Sequence, residues 1–179
     1  MADEDSRVAI PKDTSGPSEP TIPGRCELRP YRPTDAQPLL ALFRDTIRRV
    51  NARDYSPEQI RAWASDEIDS HAWAKRFDGR FVVVAEVAGR LAGFAELEDN
   101  GHLDRVYVSA DHQRLGVGRQ LLAAIFAEAQ ERQIARLFVE ASITAKAFFE
   151  AHGFTVIASQ VVTLRGIDFL NYRMERVEQ

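Results

Sequence analysis

Residues 102–109 read as a β-branched strand, residues 116–132 as a helix, and residues 136–141 as a second short apolar strand. The helix carries Val117, Leu121, Leu122, Ile125, Phe126 and Ala129 as a wide apolar stripe at period 3.6. With connections this short, both strands can share one sheet only if the helix crosses over a face and the strands run parallel. That one unit constrains the chain more than any other feature. Elsewhere the strands pair locally: residues 81–87 and 90–98 flank a turn at Ala88-Gly89, Asn100-Gly101 turns the chain into the next strand, and residues 156–164 and 167–174 meet across Arg165-Gly166. A short strand at 26–31 opens the fold and Pro33 closes it.

Three more helices complete the pattern. Thr34-Asp35-Ala36-Gln37 is a capping-box sequence ahead of Leu39, Phe43, Ile47 and Val50 at helical spacing. Ser56-Pro57-Glu58-Gln59 announces a second helix with Ile60, Trp63 and Ala64 on one face. Residues 143–152 form the last, stopped by Gly153. The order β α α β β β α β α β β predicts an α+β fold, a mixed and mostly antiparallel sheet with one locally parallel pair. Residues 1–24, with Pro11, Pro17, Pro20 and Pro23 among small and charged residues, predict a disordered tail ahead of one domain over 25–179.

The chain's 179 residues carry 23 Lys and Arg against 27 Asp and Glu. An acidic balance argues against sequence-independent binding to nucleic acid or to an anionic membrane, which need surplus cations. No apolar run approaches the roughly 18 residues a membrane span requires. With Cys26 as the single cysteine, an intrachain disulfide is excluded and a cytoplasmic location is the natural expectation. The four histidines, His71, His102, His112 and His152, show no metal-ligand spacing, so no metal is indicated.

The segment Val106-Tyr107-Val108-Ser109-Ala110-Asp111-His112-Gln113-Arg114-Leu115-Gly116-Val117-Gly118-Arg119 carries the chemistry. A strand runs into a loop, and two glycines open a long helix whose first N–H groups lack intrahelical partners and carry the positive end of the dipole. Such an end suits a phosphate, to which Arg114 and Arg119 can add charge-assisted contacts; a simple tight turn is the structural alternative. The pattern is neither a P-loop nor a G-x-G-x-x-G dinucleotide fingerprint.

Gln113-Arg114-Leu115-Gly116-Val117-Gly118 resembles motif A, (Q/R)-x-x-G-x-(G/A), of the GNAT superfamily of acetyl-CoA-dependent N-acetyltransferases. Phe148-Phe149-Glu150-Ala151-His152-Gly153-Phe154 is similar to that family's F-Y-x-x-x-G-F segment, and residues 28–36 resemble its first strand and turn. The resemblance covers roughly residues 26–175. It implies that the fourth and fifth strands splay apart around acetyl-CoA, with helices on both faces of the sheet. The pantetheine arm would then lie on the backbone of Val106 and Val108, and the pyrophosphate over Gln113 to Arg119, that is Gln113, Arg114, Leu115, Gly116, Val117, Gly118 and Arg119. Tyr107, Ser142 and Phe149 complete the implied cofactor site, and the Val108 N–H would stabilise the oxyanion. By residue type alone Val106 and Val108 are ordinary core positions.

A base is needed because the acceptor amine must be neutral when it attacks. The resemblance implies that it sits at His102 or Asp104, which alternate with Val106 and Val108 on one strand face; His102 as an exposed turn residue is the alternative. Glu96 and Glu98 read as a solvated strand end. Where the family commonly has a tyrosine that protonates the leaving thiolate, this chain has Phe149, so Tyr172 on the last strand becomes the candidate acid, with ring packing as the alternative. Acceptor selection would come from the first two helices and the last hairpin, which offer Tyr55, Trp63, Trp73, Asn171 and Tyr172, with Trp63 as a core residue beside Ile60 the alternative. The function implied is transfer of an acetyl group from acetyl-CoA to a small-molecule or peptide amine in a ternary complex. A non-catalytic acyl-CoA sensor, favoured by Phe149, and an acetyltransferase acting on aminoacyl-tRNA, disfavoured by the acidic charge, are the other readings. The resemblance also admits pairing as a homodimer.

Overall fold

The computed structural model describes residues 24–177. The expected tail therefore lies, Gly24 apart, outside the described residues. The elements follow in the order β1 (Cys26–Pro30), α1 (Ala36–Arg49), α2 (Pro57–Trp63), α3 (Ser70–Lys75), β2 (Phe81–Val87), β3 (Arg90–Leu97), β4 (Val106–Val108), α4 (Val117–Glu131), β5 (Arg136–Ser142), α5 (Ile143–Glu150), β6 (Thr155–Leu164) and β7 (Ile167–Val177). The α+β class expected from the sequence holds. The strands form two antiparallel sheets, ordered β1-β2-β3-β4 and β5-β7-β6.

Period-two alternation on β2 and β3 builds a core on each face of the larger sheet. Val83, Ala85, Ala95 and Leu97 pack with Leu121, Leu122 and Ile125 of α4, while Val82, Val84 and Phe94 pack with Leu39, Phe43 and Ile47 of α1 and with Trp73 of α3. The turn dipeptides behave as their chemistry requires: Ala88 and Gly89 have φ of 50° and 71°, and Arg165 and Gly166 have 49° and 77°, as a type I′ hairpin demands at both central positions.

Two helix starts differ from each other. At α2 the capping box forms as expected, Ser56 Oγ accepting from Gln59 N–H at 3.2 Å and Gln59 Oε1 accepting from Ser56 N–H at 2.9 Å. At α1 the Thr34–Gln37 box does not form. Residues Pro33–Asp35 make a 3₁₀ turn instead, and the helix starts at Ala36. Arg29 explains the difference, because its guanidinium grips both Asp35 oxygens, at 2.7 and 2.9 Å, while Asp35 also accepts from Arg32 N–H at 2.7 Å. Helix α3 was not legible in the sequence, since six residues are too few to show a 3.6 period.

The expected strand over 102–109 shortens to Val106–Val108. Glu96 N–H donates to Arg105 O and Glu98 N–H to His102 O, both at 2.9 Å, so three steps of the returning chain oppose two of β3. One extra residue, as in a β-bulge, breaks the alternation and re-aims the chain. His102 and Asp104 therefore leave the strand that carries Val106 and Val108. The expected parallel pair reduces to one bridge, His102 with Phe138, beyond which β4 and β5 share no ladder.

Close packing fixes β4 against β3. A Cβ on Gly93 would lie 2.6 Å from Tyr107 O and 3.1 Å from the Leu121 side chain. Gly93→Ala should therefore destabilise the fold by about 1–3 kcal/mol, the range of overpacking in a tight core. Chemical denaturation compared with wild type measures it, and an unchanged midpoint contradicts the packing described.

Candidate functional site

Between β4 and β5 the two sheets stand open. Ser109 N–H donates to Ala92 O and Glu96 N–H to Arg105 O, which fixes the phase of the β3–β4 ladder. By alternation the Tyr107 peptide groups face β3, and those of Val106 and Val108 face the opening. The Gln113 side-chain N–H₂ donates to Val108 O at 2.7 Å and to Ser109 O at 3.3 Å, pinning the loop to the strand end. Arg114 and Gly116 follow in the left-handed region, with φ of 62° and 79°, and Gly116 is the N-cap of α4. No carbonyl of the helix can serve the N–H groups of Val117, Gly118 and Arg119. The exposed side chains of Arg114 and Arg119 have no carboxylate partner among the described residues. Gly118 leaves room for an aromatic wall, since a Cβ there would stand 3.1 Å from the Phe148 ring. A cavity of about 510 Å³ results, bounded by β4, the 113–119 loop, the end of β5 and α5.

A second cavity, of about 540 Å³, lies between α1–α3 and the β6–β7 hairpin. Its rings belong to Phe43, Tyr55, Trp63, Trp73, Tyr107 and Phe169. Tyr55 is fixed by both ends of its hydroxyl, which accepts from Ile143 N–H at 2.8 Å and donates to Leu170 O at 3.3 Å. The two cavities meet, sharing Trp63, Asp104, Tyr107, Glu140 and Ser142 as lining.

Charges gather at that junction. Burial pushes the Asp104 carboxyl up, but hydrogen bonds from Arg76 at 2.6 Å and Arg80 at 2.5 Å outweigh it and hold the group below its ordinary range. Glu96, fully buried one layer behind, is raised to about 7 by burial, against the attraction of Arg105. Its Oε1 lies 2.5 Å from Arg105 Nε, out of line for a hydrogen bond, while Oε2 accepts from Arg105 Nη2 at 3.0 Å. The His102 ring stacks on Phe138 and meets Glu140 Oε2 through Nε2 at 2.6 Å, with Glu98 3.6 Å from Nδ1.

A profile of the acetyltransferase (GNAT) domain matches residues 51–176. An uncharacterised N-acetyltransferase of Escherichia coli K12, YafP, is 35% identical over 148 residues, covering 83% of this chain and 93% of that protein. The chain belongs to the GNAT acetyltransferases. It is thus an acyltransferase acting on nitrogen. A GCN5-related N-acetyltransferase structure from Rhodopseudomonas palustris superposes with a TM-score of 0.83 at 34% identity, over 88% of this chain and 98% of the other. The PaiA N-acetyltransferase of Thermoplasma acidophilum, solved with coenzyme A, shares the fold at a TM-score of 0.69 and 19% identity, over 86% of this chain and 99% of that one.

The structure brings most of the GNAT motif residues together around one cavity. Val106, Tyr107, Val108, Gln113, Arg114, Gly116, Val117, Gly118, Arg119, Ser142 and Phe149 line the cavity in the opening. Leu115 does not, and is 62% exposed on the loop. Ser142 Oγ serves as N-cap of α5, accepting from Ala145 N–H at 3.1 Å. Tyr55, Trp63 and Asn171 line the aromatic cavity, and Asp104 lines both. His102 and Tyr172 line neither; Tyr172 packs beside Lys146, whose Nζ is 5.3 Å from its ring. Glu96 is no solvated strand end, because the extra residue before Arg105 folds the chain over it. Sequence reasoning missed Glu140, Arg76, Arg105 and Phe148. Only Phe148 had a signal, its place at the head of the segment similar to the GNAT F-Y-x-x-x-G-F run. Among the described residues no three His, Cys, Asp or Glu side chains converge to hold a metal ion, and no helix is long and apolar enough to cross a membrane.

Because folded Glu96 holds its proton more tightly than the unfolded carboxyl, it contributes stability that is full below about 4.5 and lost as pH rises through about 7. Thermal melts from pH 4.5 to 8 should show this decline, and Glu96→Gln should flatten it.

Proposed function

We propose that acetyl-CoA occupies the opening between β4 and β5, that an amine enters from the aromatic cavity, and that the amine attacks directly at the junction. The meeting of the two cavities around five shared residues carries this reading, since the two substrates can approach one another without either leaving its site. The residues present fit the cosubstrate. The peptide groups of Val106 and the N–H of Val108, turned to the opening, suit its amide arm, and the helix start at Gly116 with Arg114 and Arg119 suits its pyrophosphate. Acetyl-CoA supplies a thioester carbonyl; the Val108 N–H, turned to the opening, is placed to stabilise charge developing on its oxygen.

Glu140 takes the proton from the amine in this reading. Glu140 lines both cavities, and the His102 ring behind it lies between Glu140, at 2.6 Å, and Glu98, at 3.6 Å. Asp104 is a poor base, because two guanidiniums stabilise its charged form. Of the four tyrosines, Tyr55 and Tyr107 line the site, and the Tyr55 hydroxyl is already engaged at both ends. Tyr107 lines both cavities, and its burial raises the phenol above its ordinary range, so in this reading it keeps its O–H and steadies the departing sulfur by a hydrogen bond.

Calorimetric titration of acetyl-CoA, followed by thiol release with an amine library, tests the reading. Binding with release is expected. Binding without release from any amine is the result a sensor would give, and no binding overturns the reading. Gly118→Val, which presses on the Phe148 ring, should weaken acetyl-CoA binding about tenfold or more. Glu140→Gln should lower kcat/KM by about 10² and His102→Ala by less. Tyr107→Phe should lower kcat while Tyr172→Phe leaves it unchanged.

A further inference from the structure

We infer that the acceptor is a compact aromatic amine without a carboxylate, an arylalkylamine in chemical terms. The inference rests on the reading above that the acceptor occupies the aromatic cavity, and three observations on that cavity lead to it.

Its walls are rings on two sides. Tyr55, Trp63 and Phe169 form one group, with Trp63 centred 5.3 Å from Tyr55 and 6.0 Å from Phe169, both edge-on. Phe43 anchors the other, 5.0 Å from Trp73 and 4.9 Å from Tyr107. A flat ring between such groups gains edge and face contacts that an aliphatic chain does not. A volume of about 540 Å³ matches a small molecule rather than a segment of folded protein.

The charge of the cavity favours a cation. Two of the three arginines in its lining sit on carboxylates, Arg76 on Asp104 at 2.6 Å and Arg105 on Glu96 at 2.5 Å, while Arg165 donates to Ala62 O at 2.8 Å. Arg105 is further covered by Trp73, whose ring centre lies 4.2 Å from its guanidinium carbon. By contrast, the exposed Glu67 and Asp69 on the rim have no cationic partner among the described residues. Glu140 meets only the His102 ring. An ammonium group is drawn in by these carboxylates and by the ring faces. An acceptor bearing a carboxylate faces four acidic residues in the lining, Glu67, Asp69, Asp104 and Glu140, against three arginines, two of them already on carboxylates, so its charge is disfavoured there. Asn171 Oδ1, buried in the same wall without a donor, offers an acceptor to an N–H group.

Both tryptophans of the chain, Trp63 and Trp73, line this cavity, so acceptor binding reads out in their emission without turnover. The full chain with saturating CoA is titrated with 2-phenylethylamine, phenylalanine and spermidine, and the same three are assayed for thiol release from acetyl-CoA. The expected result is saturable change in emission and turnover with 2-phenylethylamine, at a KM about tenfold or more below the other two. Glu67→Gln with Asp69→Asn, which keeps an N-cap for α3, should raise that KM several-fold and abolish its dependence on salt. Turnover of spermidine or phenylalanine in preference to 2-phenylethylamine overturns the inference while the transfer reading stands. Saturable binding of 2-phenylethylamine with no thiol release from any acceptor overturns the transfer reading and leaves the ligand class standing. No change in emission and no turnover overturns both.

Discussion

Two backbone hydrogen bonds, Leu103 N–H to Phe138 O at 2.9 Å and Phe138 N–H to Gly101 O at 3.0 Å, tie the two sheets together at one end. Gly101 makes that tie feasible, since a Cβ at its position would collide with Arg136 O at 2.1 Å and its φ of 90° suits glycine. From this anchored end the strands diverge, because the extra residue before Arg105 turns β4 onto β3 while β5 stays paired with β7. The peptide groups of Val106 and Val108 are left without a partner strand; Val108 O takes the side chains of Gln113 and Thr46 instead, and the Val106 groups and the Val108 N–H remain turned to the opening. An amide-bearing ligand arm can satisfy what the missing ladder does not.

The same local geometry sets the electrostatics. Folding residues 102–105 out of the strand carries Arg105 over Glu96, 6% and 0% exposed, and places Asp104 where Arg76 and Arg80 converge on it. A carboxylate so clamped is stabilised as the anion and orders the junction more than it accepts protons. In the proposed reaction the proton passes to Glu140 and His102 instead, which sit on opposite sides of the sheet junction and meet through a 2.6 Å contact. Position along a strand would have grouped His102 with Asp104; the bulge separates them and gives them different partners.

Much of the fold was legible because its signals are local. The hairpin turns at Ala88-Gly89 and Arg165-Gly166, the Ser56 capping box, and the stripe of α4 each depend on residues within a few positions of one another. The signals that failed were overruled from a distance. Arg29, on β1, took Asp35 out of the expected capping arrangement at Thr34, and α3 formed through packing of Trp73 against Phe43 and Phe94 rather than through periodicity.

For the site, the sequence by itself determined the helix start at Gly116, its flanking arginines and the missing hydroxyl at Phe149, because a glycine pattern at a strand-to-helix turn constrains the backbone directly. Tertiary structure alone decided that Glu140 faces both cavities, that Tyr172 faces neither, and that six rings from α1, α2, α3, β4 and the neighbouring loop and hairpin enclose one space. Those residues lie far apart in the chain, so no spacing encodes their meeting. It arises from the way two sheets, tied at one end, hold their helices and hairpin around the gap between them.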